Sequence, residues 1–248
     1  PGGTGPPKDL PTEGQAGGPP GGRPKLPIWS VGAGTIIATR PYGGGETRVQ
    51  PIPVIRYQGE RFVFEGPFAR YQLGRWKAAR FTALARYRFD GYDSSDGDVL
   101  DGMERDDTID VGVRATIALG GGSDLRVDAV TDVLGRHNGV EFGASVGRTF
   151  RTGRLFIVPT IGFVWQSSNL ADYYFGVNED EARPGRPAFD VGSVVNLEVG
   201  ITARYLFSQR TALVVVLRER FLGDEIGDSP IVEDSSVTSL LLSLTYSL

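Results

Sequence analysis

The sequence predicts an all-β chain: a transmembrane, antiparallel, up-and-down β-barrel of about 12 strands, with 10 as the alternative, and with its long loops extracellular. Three observations carry that expectation. Apolar and polar residues alternate with a period of two along runs of about 10 to 15 residues, longer than the usual ~5–6 of a soluble strand and matched to a tilted bilayer crossing. One face of each run is apolar, while the other mixes Gly, Ser and Thr with Arg, Asp and Glu, as a crowded, salt-bridged lumen would. The connections alternate short and long, so every long loop lands on one side.

Residues 1 to 27, PGGTGPPKDLPTEGQAGGPPGGRPKLP, hold eight of the 16 prolines and no aromatic residue. Such a segment has nothing to bury, which predicts a disordered Pro/Gly-rich tail on the periplasmic side, followed by a barrel over 28 to 248. The chain opens on Pro1 without Met, as a processed chain would.

From Trp29 onward runs alternate with turn residues. The first two occupy 29 to 39 and 47 to 57, the second interrupted by Pro51 and Pro53. The third, 60 to 71, is broken at Gly66-Pro67, and the fourth covers 76 to 90. In 109 to 119, Ile109, Val111, Val113, Ala115, Ile117 and Leu119 oppose Asp110, Gly112, Arg114 and Thr116. In 124 to 134, Leu125, Val127, Ala129 and Val133 oppose Asp124, Arg126, Asp128 and Asp132. In 139 to 151, Val140, Phe142, Ala144, Val146 and Phe150 oppose Glu141, Gly143, Ser145 and Gly147. A run at 154 to 167 precedes 194 to 207, where Val195 to Phe207 alternate with Asn196, Glu198, Gly200, Thr202 and Arg204. After 211 to 222 comes the closing SVTSLLLSLTYSL, with Leu240, Leu242, Leu244, Tyr246 and Leu248 on one face and Leu241 as the exception on the other. Both termini on one side demand an even number of strands, and splitting the third run at Gly66-Pro67 converts eleven runs into twelve. Trp29, Tyr57, Phe89, Phe150, Trp165, Tyr205, Phe207 and Tyr246 sit near run ends, where an interfacial aromatic girdle belongs.

The bulk numbers fit this reading and exclude others. A formal net charge of −4, with scattered arginines, argues against a nucleic-acid binder. The absence of cysteine removes disulfides and thiolate metal sites. No apolar run is long enough for a membrane helix.

The long loops carry recognisable elements. NLADYYFGVNEDEARPGRPAFD (169 to 190) contains Tyr173, Tyr174, Phe175, Gly176 and Val177, and GDEIGDSPIVED (223 to 234) contains Asp224, Glu225, Asp228, Ser229, Pro230 and Val232. With the opening WSVGAGTIIATRPYGGGETRVQPIPVIRYQGERFVFEG, these resemble the YYxGV and DSPxV elements of the MipA/OmpV family of outer-membrane proteins, over about 29 to 248. Leu248 stands where that family generally ends in an aromatic residue. The resemblance implies a non-enzymatic scaffold integral to the bacterial outer membrane, surrounded by lipid and lipopolysaccharide. It also implies partners in murein metabolism, a murein lytic transglycosylase and a bifunctional penicillin-binding protein. No cofactor is implied. The residues themselves leave open a narrow channel for small solutes and a rim-located lipid hydrolase.

Loops 169 to 190 and 223 to 234 fall on the same side, so they are expected to pack as a lid, with Tyr173, Tyr174 and Phe175 covered. Asp224, Glu225 and Asp228 would then accept from tyrosine hydroxyls or from Arg183 and Arg186. The acidic stretch 90 to 107 reads as a solvated loop that could also attract a divalent ion. His137 is the only histidine, and a hydrolase would need it beside a rim serine such as Ser167, Ser168, Ser229 or Ser235. Inward Arg80, Arg86, Arg88, Arg114, Arg126 and Arg204 should pair with Asp110, Asp124, Asp128, Asp132, Glu141 and Glu198.

Overall fold

A computed structural model of the chain describes residues 29–248, so the expected tail at 1 to 27 lies outside the described residues. Twelve antiparallel strands form one closed wall. They are β1 (Trp29–Ala38), β2 (Arg48–Gln58), β3 (Phe62–Glu65), β4 (Phe68–Trp76), β5 (Ala79–Arg88), β6 (Thr108–Gly120), β7 (Ser123–Asp132), β8 (Val140–Arg148 continued by Phe150–Thr152), β9 (Leu155–Gln166), β10 (Val194–Leu206), β11 (Thr211–Phe221) and β12 (Ser236–Ser247). The two pieces of β8 are one strand, because Gly147 opposite Thr160 and Phe150 opposite Ile157 keep a single register. Each strand pairs with the next, and β12 returns to β1, with Tyr246 opposite Val31 and Leu240 opposite Ile37. Closure leaves no open edge around the sheet as a whole, as hydrocarbon requires.

Alternation sorts the two faces as the sequence indicates. Leu244, Tyr246, Phe163, Ile161, Phe142 and Val113 are exposed on the outside of the wall, toward lipid. Ser243, Asp110, Glu141, Gln166 and Asn196 point inward and are buried. Leu241 faces the lumen because its register partners there are Ile36 and Val216, so the exception in the last run is an apolar patch inside the barrel. Trp29 against Tyr57 and Tyr205 against Phe207, each pair with ring centroids 5.0 Å apart, mark the end that carries the short turns.

The interrupted region resolves at Gly66-Pro67. Gly66 takes φ +55°, a turn conformation glycine adopts without strain, and splits the third run into β3 and β4. β3 is only four residues long. It reaches β2 from Arg56 to Gln58 and no higher, so among the described residues the β2 edge over 48–54 has no ladder partner on that side. The Ile55 carbonyl accepts from the Gly66 amide, so Ile55 faces the hairpin, and by the period of two Pro53 and Pro51 face the notch above it. Proline has no N–H to leave unpaired there.

One connection differs from expectation. The turn placed at 72 to 75 lies at 77–78, because β4 continues through Trp76 with a bulge between Gln72 and Gly74. The extra residue, Leu73, points outward and is exposed, and Arg75 is thereby turned inward opposite Arg80.

Two outcomes follow for stability in lipid vesicles. Leu242→Arg on the outer face should cost about 2–4 kcal/mol near the midplane, whereas Leu241→Gln, one residue away in the lumen, should cost less than half of that by urea unfolding. Pro53→Ala should cost about 1–3 kcal/mol by placing an unpaired N–H in the notch, and a wild-type unfolding midpoint would count against an open edge there.

Candidate functional site

Five long connections, 39–47, 89–107, 133–139, 167–193 and 222–235, converge over one end of the barrel, while the other end carries turns of a few residues. By the usual arrangement of bacterial barrels the long set is extracellular. The loops pack on one another around apolar side chains. Tyr42, Tyr92, Leu100, Met103, Val177 and Ile231 form one buried cluster, and Ala171, Val191, Val194 and Ile226 form a second, with Phe175, Phe189 and Val232 touching both. The acidic stretch is therefore half folded into the lid rather than wholly solvated. Its Leu100 and Met103 are buried, while Asp96, Asp101 and Asp106 pair with Arg40, Arg183 and Arg136. Among the described residues no three His, Asp or Glu side chains stand close enough to hold a metal ion.

The motif residues occupy the centre of this lid. Tyr173 and Tyr174 end a short helix, Ser168–Phe175. The Tyr173 hydroxyl accepts from the Asp106 amide at 2.9 Å, and its carbonyl accepts from Arg105 Nε at 2.6 Å. Tyr174 is buried, donates to the Asp106 carbonyl at 3.3 Å, and receives the Tyr42 hydroxyl on its own carbonyl at 3.2 Å. Gly176 caps the helix where a Cβ would stand 2.5 Å from the Asp172 carbonyl oxygen. Ser229 is buried and donates to the Phe175 carbonyl at 2.6 Å, which ties the DSPxV element directly to the YYxGV element. Pro230 is half-buried, and Asp224, Glu225 and Asp228 are exposed.

The expected acceptors for Arg183 and Arg186 are different ones. Arg183 and Arg186 close a tight turn on each other through their backbones and reach loop 89–107 instead. Arg183 Nη1 lies 2.7 Å from Asp101 Oδ2, and Arg186 Nη1 donates to the Val99 and Asp101 carbonyls at 2.6 and 3.0 Å. The acidic partner that sequence reasoning passed over is Glu181, which receives Arg105 at 2.6 and 2.7 Å. Burial opposes ionisation of Glu181, but the Arg105 guanidinium and the Asn178 amide outweigh it and hold the carboxyl below its ordinary range. Burial pushes the Tyr92 hydroxyl up to about 12 and the Tyr42 and Tyr174 hydroxyls up as well, so all three stay neutral.

Under the lid lies a layer of paired charge. Arg86 and Arg88 both reach Asp110 and Glu141 at 2.6–3.0 Å, and Arg218 and Arg220 reach Glu198 at 3.2 and 3.1 Å. Thr108, Asp110, Glu141, Gln166 and Asn196 are between 0 and 4% exposed, so the extracellular end of the lumen is closed to water. His137 belongs to this layer: Nδ1 accepts from the Gly139 amide at 2.9 Å and Nε2 lies 3.4 Å from Asp110. Ser167 Oγ accepts from the Val140 amide, and Ser229 is committed to Phe175. Neither serine is held by the histidine ring.

Among the described residues the other end carries no packed loops. A cavity of about 360 Å³ enters the lumen between the periplasmic turns and is lined by arginines from several strands, among them Arg70, Arg75, Arg80, Arg114, Arg126 and Arg151. It adjoins a polar mid-lumen space of about 190 Å³ that shares Arg114 and Arg126 and ends against Glu141, Arg86 and Arg220. Arg114 pairs with Asp128 and Arg126 with Asp124, as expected for an internal network. Arg75 was invisible to strict alternation because the Leu73 bulge shifts its face, and Arg70 because it sits in the broken third run.

Comparisons with known proteins agree with the loop motifs. The family described as MltA-interacting protein MipA matches residues 31–248. The chain is 29% identical over 222 residues to the MltA-interacting protein of Escherichia coli strain K12, covering 88% of this chain and 89% of that one. It is 28% identical over 221 residues to the putative outer membrane protein YiaT of the same strain, with the same coverage. Among solved structures, the translocator domain of the autotransporter NalP from Neisseria meningitidis aligns over 89% of this chain and 88% of that chain with a TM-score of 0.47 at 13% identity.

The lid should respond to acid with a defined sign. Glu181 has a depressed carboxyl in the folded chain, so its contribution is complete above the unfolded value of about 4.3 and is lost as pH falls through the lower, folded one. Amide exchange within 167–193 should accelerate below about pH 4, and Glu181→Gln should flatten that dependence. Arg105→Ala should cost the lid about 3 kcal/mol at neutral pH, read from the same amides.

Proposed function

This chain belongs to the MltA-interacting protein MipA family, and on that premise we propose that it is a non-enzymatic outer-membrane scaffold whose partner surface is the periplasmic end of the barrel. The observation that carries the reading is the asymmetry of the two ends. The extracellular mouth is filled by interlocked loops over a buried charge layer, whereas among the described residues the periplasmic end carries only short turns and a basic rim. Four of the five periplasmic turns carry a cation, Arg61, Lys77, Arg154 and Arg210, against the single carboxylate of Glu60. Such a rim would steer an acidic surface of a periplasmic protein toward it.

The partner class follows from the name of the Escherichia coli relative: a murein lytic transglycosylase. The bifunctional penicillin-binding protein implied by the family resemblance would join the same periplasmic surface, and lipid with lipopolysaccharide would surround the wall. The motif residues Tyr173, Tyr174, Phe175, Gly176, Asp224, Glu225, Asp228, Ser229 and Pro230 act in this reading as the lid that shuts the mouth. They do not touch the murein enzymes. A narrow channel is the second reading, favoured by the polar lumen space, and it would need the lid to open.

Charge reversal at two turns, Lys77→Glu with Arg210→Glu, should reduce capture of the transglycosylase from solubilised envelope about tenfold, equivalent to ~1.4 kcal/mol. Tyr173→Ala with Tyr174→Ala should loosen the lid and leave capture unchanged. The reverse pattern would assign partner binding to the lid. Stable conductance of the wild-type chain in a planar bilayer would favour the channel.

A further inference from the structure

We propose that the notch above β3 is a lateral slot in the barrel wall for one lipopolysaccharide molecule of the outer leaflet, seated by the amide-linked hydroxyacyl chains of its lipid anchor. The inference rests on the chain's place in the outer membrane and goes beyond the scaffold reading, since it stands whether or not a protein docks on the periplasmic rim.

The slot is framed by backbone. Along its base Ile55, Gly66, Pro67 and Tyr87 stand in one row, because the Gly66 amide donates to the Ile55 carbonyl at 3.1 Å and the Tyr87 amide to the Pro67 carbonyl at 2.9 Å. One residue higher, β2 and β5 face each other across three strand spacings with no strand between them among the described residues. At the usual ~4.8 Å per strand that is about 14 Å from backbone to backbone. Over the top, the Arg40 guanidinium ties loop 39–47 to loop 89–107 through the Gly91 carbonyl and Asp96, each at 3.2 Å. Tyr57 belongs with Trp29 to the girdle at the short-turn end, and Arg48 borders loop 39–47, so residues 49–54 cross the part of the bilayer nearer the outside. Val49, Ile55, Phe68 and Tyr87 are exposed around the opening and give it an apolar lip.

Polar groups on the β2 edge then set the occupant. The Gln50 carbonyl faces β1 and accepts from the Thr35 hydroxyl, while Ile55, of opposite parity, turns its carbonyl to β3. Val49, Pro51 and Pro53 share the parity of Ile55, and among the described residues none of their three carbonyls, nor the Val49 amide, has a hydrogen-bond partner. Hydrocarbon supplies no water to satisfy them, and each polar group left bare there is costly. Another strand is a poor filler, since Pro51 and Pro53 have no N–H with which to build a ladder. An ester-linked phospholipid brings no donor to this depth, because its chains are pure hydrocarbon below the ester oxygens. The lipid anchor of lipopolysaccharide does bring donors: an amide N–H and hydroxyl groups lie near the head of its chains, beneath phosphorylated sugars. Its hydrocarbon suits the apolar lip. For a phosphate there is Arg48 at the top of the edge, which makes no hydrogen bond or direct ion pair among the described residues and stands near enough to Tyr87 and Asp93 to act on both electrostatically.

The test uses the full chain with the photoreactive residue p-benzoylphenylalanine in place of Val49, or in place of Phe163, which is exposed on the far side of the wall. Each is refolded into nanodiscs of phosphatidylcholine holding a minor fraction of deep-rough lipopolysaccharide. A parallel set replaces the lipopolysaccharide by phosphatidylglycerol, which has a phosphate and no hydroxyacyl chains. Heat-modifiable migration on gels verifies folding of every variant. After illumination, lipopolysaccharide adducts at position 49 should exceed those at position 163 about tenfold, with no such enrichment of phosphatidylglycerol. Arg48→Gln should lower the enrichment, and Pro53→Trp, which crowds the slot from its edge, should abolish it. Glu181→Gln, on the lid, should leave it unchanged. The proposal fails if both positions label equally, if phosphatidylglycerol is enriched as strongly as lipopolysaccharide, or if enrichment survives Pro53→Trp in a folded barrel. It fails also if the adduct at position 49 joins residues 1 to 27 of the chain itself, which would make that segment the occupant. Transglycosylase capture is read separately and bears on the rim alone.

Discussion

Everything in this molecule depends on pairing backbone groups where water is absent. A strand in hydrocarbon must spend each N–H and C=O on a neighbour, so the sheet has to return on itself, and the β12 to β1 ladder is the contact that completes it. Once the wall is closed, side chains have only two destinations. Odd and even positions separate into lipid and lumen, and residue choice along each strand follows from that division. The notch above the short β3, where the ladder fails on one side of β2, is also where Pro51 and Pro53 stand. A residue that looks like a defect in a strand is there the residue with least to lose.

Much of this was legible in the sequence because alternation survives without any knowledge of partners. The twelve strands, the side of the long loops, and the meeting of 169–190 with 223–234 all follow from periodicity, loop length and the even-strand requirement. What was not legible depends on register. Leu241 is an exception only until Ile36 and Val216 are set beside it. Arg75 lies on the wrong parity for the lumen unless the bulge at Leu73 is known. The lid's ion pairs were misassigned for a similar reason: loop 167–193 meets loop 89–107 across the barrel mouth, a contact between segments about 80 residues apart that no local pattern announces. The acidic loop looked solvated because its charges dominate the composition, while Leu100 and Met103 decide its packing.

The motif elements acquire a physical meaning in this light. Aromatic and serine groups that look like a recognition surface are internal fasteners: Ser229 on the Phe175 carbonyl, Tyr42 on the Tyr174 carbonyl, Tyr173 and Tyr174 on the backbone of Asp106. Each bond joins two different loops. Together they turn flexible connections into a single packed cap, with Arg105 and Glu181 as its charged centre.

The charged residues inside the barrel include a buried layer beneath the lid, and that layer argues for a sealed mouth over a conduit. Carboxylates concentrate beneath the lid, where Asp110 and Glu141 each hold two arginines in a buried layer that would be expensive to part. Toward the periplasm the described residues lining the lumen include seven arginines from successive strands and turns. A solute approaching from outside meets a cap of interlocked loops around a buried apolar centre. One approaching from the periplasm ends against the buried layer of Arg88, Asp110 and Glu141. A conduit needs a path that is acceptable along its whole length, whereas this lumen has a buried, ion-paired barrier beneath the lid. The same residues that seal the barrel against leakage therefore give it a floor.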